Sequence, residues 1–231
     1  MTTKHRTKGF VFKKTDRMEA DKSFSVFTSD FGRIEIVGKA IRKINSKLKS
    51  GIDTFYFSEV EFIQGKHYKT LTDAYAIGKG KTGNFEIMSR ISDILDRFIK
   101  GQEKDELLFS LLEEVFEKLN DSKKRDLIYY YFVWNFLSLQ GYGFQTHECA
   151  SCHGKIVSDN IYFSNKIGGM ICAECISKDK HCLRINADIV KILRIFLEKN
   201  WDILLRLKVG QSSQDLLGMV SNDAISAFCP S

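Results

Sequence analysis

The sequence predicts an α+β protein, in which a small N-terminal β-barrel precedes an α-helical domain with an inserted four-cysteine zinc knuckle. Three observations predict this class. Apolar residues alternate over the first 81 residues, they recur at three- and four-residue steps from Asn84 onward, and two Cys-x-x-Cys pairs stand 19 residues apart. The predicted domains are therefore residues 1–81 and 82–231, with the knuckle at about 144–182.

Short alternating runs of aromatic and β-branched residues predict the strands of the barrel. The runs are GFVFKK, SFSVFT, RIEIVG and TFYFSEVEFIQG. TSDFGR and QGKH contain the Asp and Gly residues that favour tight turns. Five or so strands with hairpin-like spacing in about 80 residues indicate a small barrel, and the polar KGKTGN segment that follows is typical of a linker.

Helical periodicity follows the linker, and Asn84 stands where it can cap the first helix. The stretch LIYYYFVWNFLSL is apolar on nearly every face, which predicts a buried central helix. Asn186 is placed to cap a later helix. The predicted helices cover roughly 84–101, 104–119, 122–140 and 186–199, and a last one opens at Ser212 or Ser213.

Composition argues against several classes of protein. Hydrophobic residues make up 43% of the chain and there is one proline, so a disordered protein is not expected. No run of about 18 apolar residues occurs, so no membrane helix is expected. The N-terminus lacks the apolar region of a secretory signal, which predicts a reducing, cytoplasmic location.

Positive charge is concentrated in the N-terminal third. Residues 1–81 hold 17 Lys and Arg against nine Asp and Glu, whereas the remaining 150 residues hold 18 against 20. Such a positive region favours a polyanionic partner. A general bias toward solubility is the alternative, and composition alone leaves both open.

The two cysteine pairs predict a Zn²⁺ site formed by Cys149, Cys152, Cys172 and Cys175. One Cys-x-x-Cys turn presents two sulfurs to one ion, and two such turns complete the tetrahedron that Zn²⁺ prefers. Four thiolates leave no open position for water, so the predicted role is structural. Replacement of one cysteine by His147 or His153 remains an alternative, as does a redox-active pair of turns.

The segment KAIRKINSKLK, residues 39–49, predicts a nucleic-acid contact. It follows a predicted strand, and it lacks any acidic residue. Several cations with neighbouring polar groups are what binding to a phosphate backbone requires. A solvated basic turn is the alternative. The candidate DNA-binding residues are Lys39, Arg42, Lys43, Lys47 and Lys49.

Motifs of common enzymes are missing from the sequence. It has no G-x-x-x-x-G-K-[ST], no G-x-G-x-x-G after a strand and no G-x-S-x-G. His147-Glu148-Cys149 differs from the His-x-Glu and Pro-Cys-x-x-Cys pattern of zinc deaminases. The sequence therefore predicts a protein that is not an enzyme.

Three segments resemble one known family. They are TKGFVFKKTDRMEADKSFSVFTSDFGRIEIVGKAIRKINSKLKSGIDTF, LSLQGYGFQTHECASCHGK and GGMICAEC, in which Gly168-Gly169 leads into the second cysteine pair. Together with the order of barrel, helices and cysteine insert, they resemble the bacterial RecO family of DNA repair proteins. The resemblance covers essentially the whole chain, although residues 183–231 carry no matching motif. The points of contact in the first segment are Glu19-Ala20-Asp21, Phe27-Thr28, Gly32, Lys39, Arg42 and Ser46.

The resemblance implies an OB-fold at residues 1–81 and a recombination mediator that works in the cytoplasm on the nucleoid. Such proteins bind single- and double-stranded DNA and anneal complementary strands. They act with RecR, and they load RecA onto strands coated by single-stranded DNA-binding protein (SSB), whose acidic C-terminal tail they contact. Members of the family commonly have glycine and alanine where this chain has Ala40 and Ile41.

Two other functions are weighed against this one. A zinc-ribbon transcriptional regulator would recognise duplex DNA through the knuckle. The segment between the cysteine pairs, however, has only two residues of the Lys or Arg type, Lys155 and Lys166. A zinc-dependent enzyme acting on nucleic acids would need an open metal site. The mediator of recombination is the function that the sequence favours.

Overall fold

The computed structural model describes residues 3–156 and 160–228. The chain divides into two compact units, Met1–Asp121 and Ser122–Ser231. This division by packing lies downstream of the predicted domain boundary at residue 81, because the first two helices belong to the same unit as the barrel.

The first unit contains a closed five-stranded barrel with the strand order β1-β2-β3-β5-β4. All neighbouring strands are antiparallel except β3 and β5, which are parallel. This five-stranded barrel is the predicted OB-fold, which is thereby confirmed. The strands are β1 (Lys4–Arg17), β2 (Asp21–Thr28), β3 (Gly32–Gly38), β4 (Tyr56–Gln64) and β5 (Lys69–Lys79).

Strand β1 closes the barrel because it pairs with two strands. Residues 4–10 pair with β4, and residues 9–17 pair with β2. Gly9 belongs to both pairings, and a Cβ atom there would lie 2.4 Å from Cγ1 of Val26. The strands can approach this closely only because Gly9 has no side chain.

The core of the barrel consists of aliphatic and aromatic residues from all five strands and from the loop after β3. Ile41 and Ile52 are the loop's contribution, and each is at least 97% buried. The loop is therefore anchored at both ends. The core residues are Val11, Phe24, Val26, Ile34, Ile36, Ile41, Ile52, Val60, Phe62 and Leu71.

Two helices complete the first unit, α1 (Phe85–Phe98) and α2 (Glu106–Asp121). Asp96 of α1 accepts a hydrogen bond of 2.6 Å from Lys13 Nζ and one of 2.8 Å from Arg33 Nη2. Burial raises the pKa of Asp96, but the two cations outweigh it and hold that pKa below its usual range. These ion pairs tie α1 to the strands.

The second unit is built around α3, which the sequence predicts as a buried central helix. Trp134 on this helix is completely buried, and its Nε1 donates a 2.9 Å hydrogen bond to Ser221 Oγ. The prediction is confirmed. The elements are α3 (Arg125–Leu139), β6 (Ile161–Ser164), β7 (Gly169–Cys172), β8 (Leu183–Ile185), α4 (Ala187–Leu197), α5 (Trp201–Arg206) and α6 (Gln211–Phe228).

The helix caps confirm one prediction and correct another. The Asn186 side chain accepts a hydrogen bond from the Ile189 amide and so caps α4 as predicted. Asn84 does not cap α1 with its side chain, which is buried and donates to the Leu119 carbonyl at 2.8 Å instead. Because Leu119 lies 35 residues away in sequence, local sequence patterns do not predict this hydrogen bond.

No helix among the described residues is both long and apolar enough to cross a membrane.

Ala40 is the second residue of the connection from β3 to β4, which contains the segment 39–49 and which we call the basic loop. It adopts a backbone conformation that glycine prefers. Its φ is +53°, in the left-handed region where a Cβ costs about 1–2 kcal/mol. We expect Ala40→Gly to raise the free energy of unfolding by about 1 kcal/mol, measured by thermal circular dichroism of the full chain.

Ala76 is the matched control, since it lies in strand β5 and Gly weakens a strand. Ala76→Gly should lower stability by roughly 0.5–1 kcal/mol. Equal losses from both variants would contradict the conformational argument.

Candidate nucleic-acid interface and metal centre

The basic loop joins β3 to β4, and its apolar residues decide how it folds. Ile41 and Ile52 are buried in the barrel core and Leu48 packs against it. Between these anchors the chain forms turns and a short 3₁₀-helix, Lys47–Ser50. Ile41, Leu48 and Ile52 occupy the inner side of the loop, and its polar side chains face solvent.

All five predicted DNA-binding cations lie on this loop and are exposed. Arg42 Nη1 lies 3.4 Å from Asp16 Oδ2, so its charge is partly balanced. Within the described part of the chain, the other cations of the loop form no ion pair. The loop therefore presents an excess of positive charge to solvent. The five residues are Lys39, Arg42, Lys43, Lys47 and Lys49.

Tyr68, in the turn between β4 and β5, connects the loop to two other parts of the barrel. Lys39 Nζ lies 5.4 Å from the centre of its ring, and the Arg17 guanidinium lies 4.8 Å from the same centre. Both distances are within the range of cation–π attraction. Three connections that are distant in sequence thus meet at one end of the barrel.

Hydrogen bonds hold the basic loop against the β1–β2 connection. The Arg42 amide donates to the Ala20 carbonyl at 3.0 Å, and the Ala40 amide donates to Asp21 Oδ1 at 2.7 Å. OB-folds bind oligonucleotides with the β1–β2 and β4–β5 connections. The sequence gives no reason to prefer Tyr68 over the other aromatic residues of the barrel and does not single out Arg17. The OB strand order is the signal that brings them together.

The four predicted metal ligands are also brought together. Their sulfur atoms all lie within 4.8 Å of one another, and Cys152 Sγ is 3.8 Å from Cys172 Sγ. A metal 2.3 Å from each of four tetrahedral sulfurs requires sulfur–sulfur distances of about 3.8 Å. The four residues, Cys149, Cys152, Cys172 and Cys175, therefore fit one tetrahedral metal ion.

Backbone turns position these sulfurs. The His153 amide donates to the Cys149 carbonyl and the Cys149 amide donates to the Gly154 carbonyl, both at 2.9 Å. His153 adopts a φ of +58°, which lets the first turn reverse sharply. On the other side, Cys172 ends β7 and the 3₁₀-helix Ala173–Lys178 presents Cys175.

The electrostatic environment differs between the four cysteines. Burial raises the pKa of Cys149, but amide groups of Cys152, Cys172 and Ser151 outweigh it and lower that pKa to about 6. The Gly154 amide lowers the pKa of Cys152, yet the neighbouring sulfurs outweigh it and raise that pKa to about 11. Ionisation of one cysteine therefore disfavours ionisation of its neighbours, and a positive ion between the sulfurs would offset this effect.

The knuckle is attached to α3 by aromatic packing. The ring centre of Trp134 is 5.2 Å from that of Phe163 on β6 and 4.8 Å from that of Phe144. Gly169 allows the strands of the knuckle to approach, since a Cβ there would lie 2.4 Å from the Gln145 carbonyl oxygen. The sheet β7-β6-β8 of the knuckle has no counterpart in the sequence predictions.

Neither histidine beside the first pair belongs to the sulfur cluster. His153 is exposed, and its Nδ1 lies 3.0 Å from Glu148 Oε1. The alternative of a histidine ligand is therefore not favoured among the described residues.

The fold and the sites define a class of protein with two parts. An OB-fold with a cationic end that also carries an aromatic residue precedes a helical unit with a four-cysteine knuckle. Two family models match the chain. Recombination protein O N terminal covers residues 1–79, and recombination protein O C terminal covers residues 85–227.

Curated relatives agree with these matches. Two proteins of Dehalococcoides mccartyi named DNA repair protein RecO are 29% and 30% identical to this chain over 218 residues, covering 91% of it and 86% of each relative. A protein of the same name from Halalkalibacterium halodurans is 25% identical over 197 residues, covering 83% of this chain and 77% of the relative. The chain belongs to the RecO family, and the resemblance found in the sequence is confirmed.

Removal of one thiolate tests the metal centre. We expect Cys172→Ser to reduce bound metal from about one ion per chain and to lower the melting temperature, because metal binding stabilises the folded knuckle. Metal content by mass spectrometry and thermal unfolding measure the two effects.

Cys182→Ser is the matched control. Cys182 packs against the cluster but is not among the four grouped sulfurs. Equal metal content and stability in the two variants would contradict the assignment of the ligands.

Proposed function

We propose that this protein is a DNA-binding mediator of recombinational repair that anneals complementary strands. The observation that carries the proposal is the exposed cationic loop at the ligand-binding end of an OB-fold, supported by Arg17 and Tyr68 from neighbouring connections. Membership of the RecO family and the names of its relatives support a role in DNA repair.

Annealing by such a surface needs no covalent chemistry. Two complementary strands repel each other through their phosphates, and cations that neutralise part of this charge lower the free energy of their approach. Contacts to phosphate carry no sequence information and leave the base edges free to pair. The protein therefore acts as a binding protein and not as an enzyme.

We further propose that the metal is structural Zn²⁺. Zn²⁺ is the common metal of four-cysteine sites, and four sulfur ligands close its coordination shell. Its ligands Cys149, Cys152, Cys172 and Cys175 would fix the knuckle on α3, with no role in a reaction.

A pocket of about 640 Å³ in the second unit supports contact with an acidic peptide. It combines exposed cations with leucine and valine side chains, which suits a peptide that has carboxylates and an apolar end. We propose that it receives the acidic C-terminal tail of SSB, and that RecR assists the protein in loading RecA onto the coated strands. The lining residues are Lys123, Lys124, Arg125, Asp126, Leu127, Leu205, Arg206, Leu207, Lys208, Val209 and Gln214.

Charge reversal in the basic loop tests the main proposal. Arg42→Glu/Lys43→Glu is expected to slow annealing of complementary strands precoated with SSB by at least about tenfold, because each reversed charge repels a phosphate. If all five loop cations contact phosphates, log K against log salt should have a slope of about −3.5 for single strands, and the double variant should have a smaller one.

The matched control is Lys178→Glu/Lys180→Glu, which reverses two exposed charges in the knuckle. This control should anneal like the wild type. Loss of annealing in the control with normal annealing by the loop variant would instead favour a regulator that binds DNA through its knuckle.

Charge reversal in the pocket tests the peptide site. Arg206→Glu/Lys208→Glu should weaken binding of a synthetic peptide with several Asp residues and an apolar C-terminus by at least about tenfold, measured by isothermal titration calorimetry. The knuckle control should bind the peptide normally. Unchanged binding by the pocket variant would refute this location.

A further inference from the structure

Two apolar side chains are exposed at the cationic end of the barrel. Ile44 in the basic loop is 100% exposed, and Met18 in the β1–β2 connection is 81% exposed. The same loop buries its other isoleucines, Ile41 and Ile52, to at least 97%. A hydrophobic core is therefore close to this loop, yet the Ile44 side chain remains outside it.

The two connections that carry these side chains are held together. The Arg42 amide bonds the Ala20 carbonyl, and the Ala40 amide bonds the Asp21 carboxylate. Met18 and Ile44 each lie within two residues of one of these hydrogen bonds. The two connections that carry the exposed apolar groups are therefore adjacent at this end of the barrel.

Charged groups surround this surface, and most are cations. Asp16 is paired with Arg42 and with Lys22, and Asp21 accepts from the Ala40 amide. Glu19 is the one carboxylate in the β1–β2 connection without a described partner. The cations here are Arg17, which ends β1, and five residues of the basic loop: Lys39, Arg42, Lys43, Lys47 and Lys49.

We propose that Met18 and Ile44 form a binding site for an unpaired nucleobase, an inference that rests on the proposed DNA-binding function. A ligand for this surface must have anionic groups for the cations and an apolar face for Met18 and Ile44. A single strand has both, because its unpaired bases can unstack and its phosphates are close by. A duplex keeps its base faces stacked inside, so it offers phosphates alone unless a side chain enters between the bases.

The consequence is selectivity for single strands. Phosphate contacts serve single and double strands alike, whereas an apolar contact to a base face is gained only when the base is unpaired. The site would hold a strand open for pairing, since it contacts the face of a base and leaves the pairing edge free.

A thermodynamic cycle on the full-length protein tests the proposal. The wild type and Met18→Ser/Ile44→Ser are each titrated with a fluorescent single strand, with the same strand containing abasic sites and with a duplex of equal length, at one salt concentration. We expect the variant to bind the normal strand about tenfold more weakly, and the abasic strand and the duplex less than about twofold more weakly.

Ile77→Ser is the matched control, because Ile77 is a half-exposed isoleucine on β5. It should bind all three ligands like the wild type. The salt dependence of the double variant should remain that of the wild type, since its cations are unchanged. Thermal unfolding checks that each variant is folded.

Three results would overturn the proposal. The first is equal loss of affinity for the normal and abasic strands, and the second is no loss for either. The third is unchanged DNA binding with lost binding to phosphatidylserine vesicles, which would identify a membrane surface as the occupant. If the wild type fails to bind any strand in a salt-dependent way, the proposed function itself is refuted. This result differs from the three above, which refute only the nucleobase site.

Discussion

The double pairing of β1 is the constraint on which the rest of the first unit depends. Strand β1 pairs with β2 along one half and with β4 along the other, and the pairing of β3 with β5 completes the closed barrel. Gly9 allows the close approach of the strands. Closure in the OB order places the start of β5 beside the end of β3, where Ile36 pairs with Lys69. The β1–β2 turn, the basic loop and Tyr68 then share one end of the barrel.

The cationic surface and the cysteine cluster belong to different units of the molecule. The barrel carries the excess of cations, whereas the knuckle gathers four sulfur atoms that could hold one metal ion. Trp134 and Phe163 attach the knuckle to the buried helix of the second unit. The role that we propose for the most conspicuous motif of the sequence is structural, and the proposed work on DNA falls to a loop with no signature beyond its charge.

Local patterns explain what was predictable from the sequence. Strand alternation, helical spacing and cysteine spacing each involve nearby residues, so the barrel, α3 and the four grouped cysteines could be predicted. Contacts between distant residues could not: Asn84 bonds Leu119 instead of capping its helix, and the second-unit pocket joins segments about 80 residues apart. The exposure of Ile44 is also not indicated by local pattern, since its spacing from Ile41 and Leu48 is typical of one buried face.

The most direct measurement is photo-crosslinking of a single strand to the full-length protein, with the crosslinked residues located by mass spectrometry. The account predicts crosslinks at the β1–β2 connection, in the basic loop and near Tyr68, and none between Cys149 and Cys175. Crosslinks concentrated in the knuckle, with the cationic end of the barrel unmodified, would contradict it.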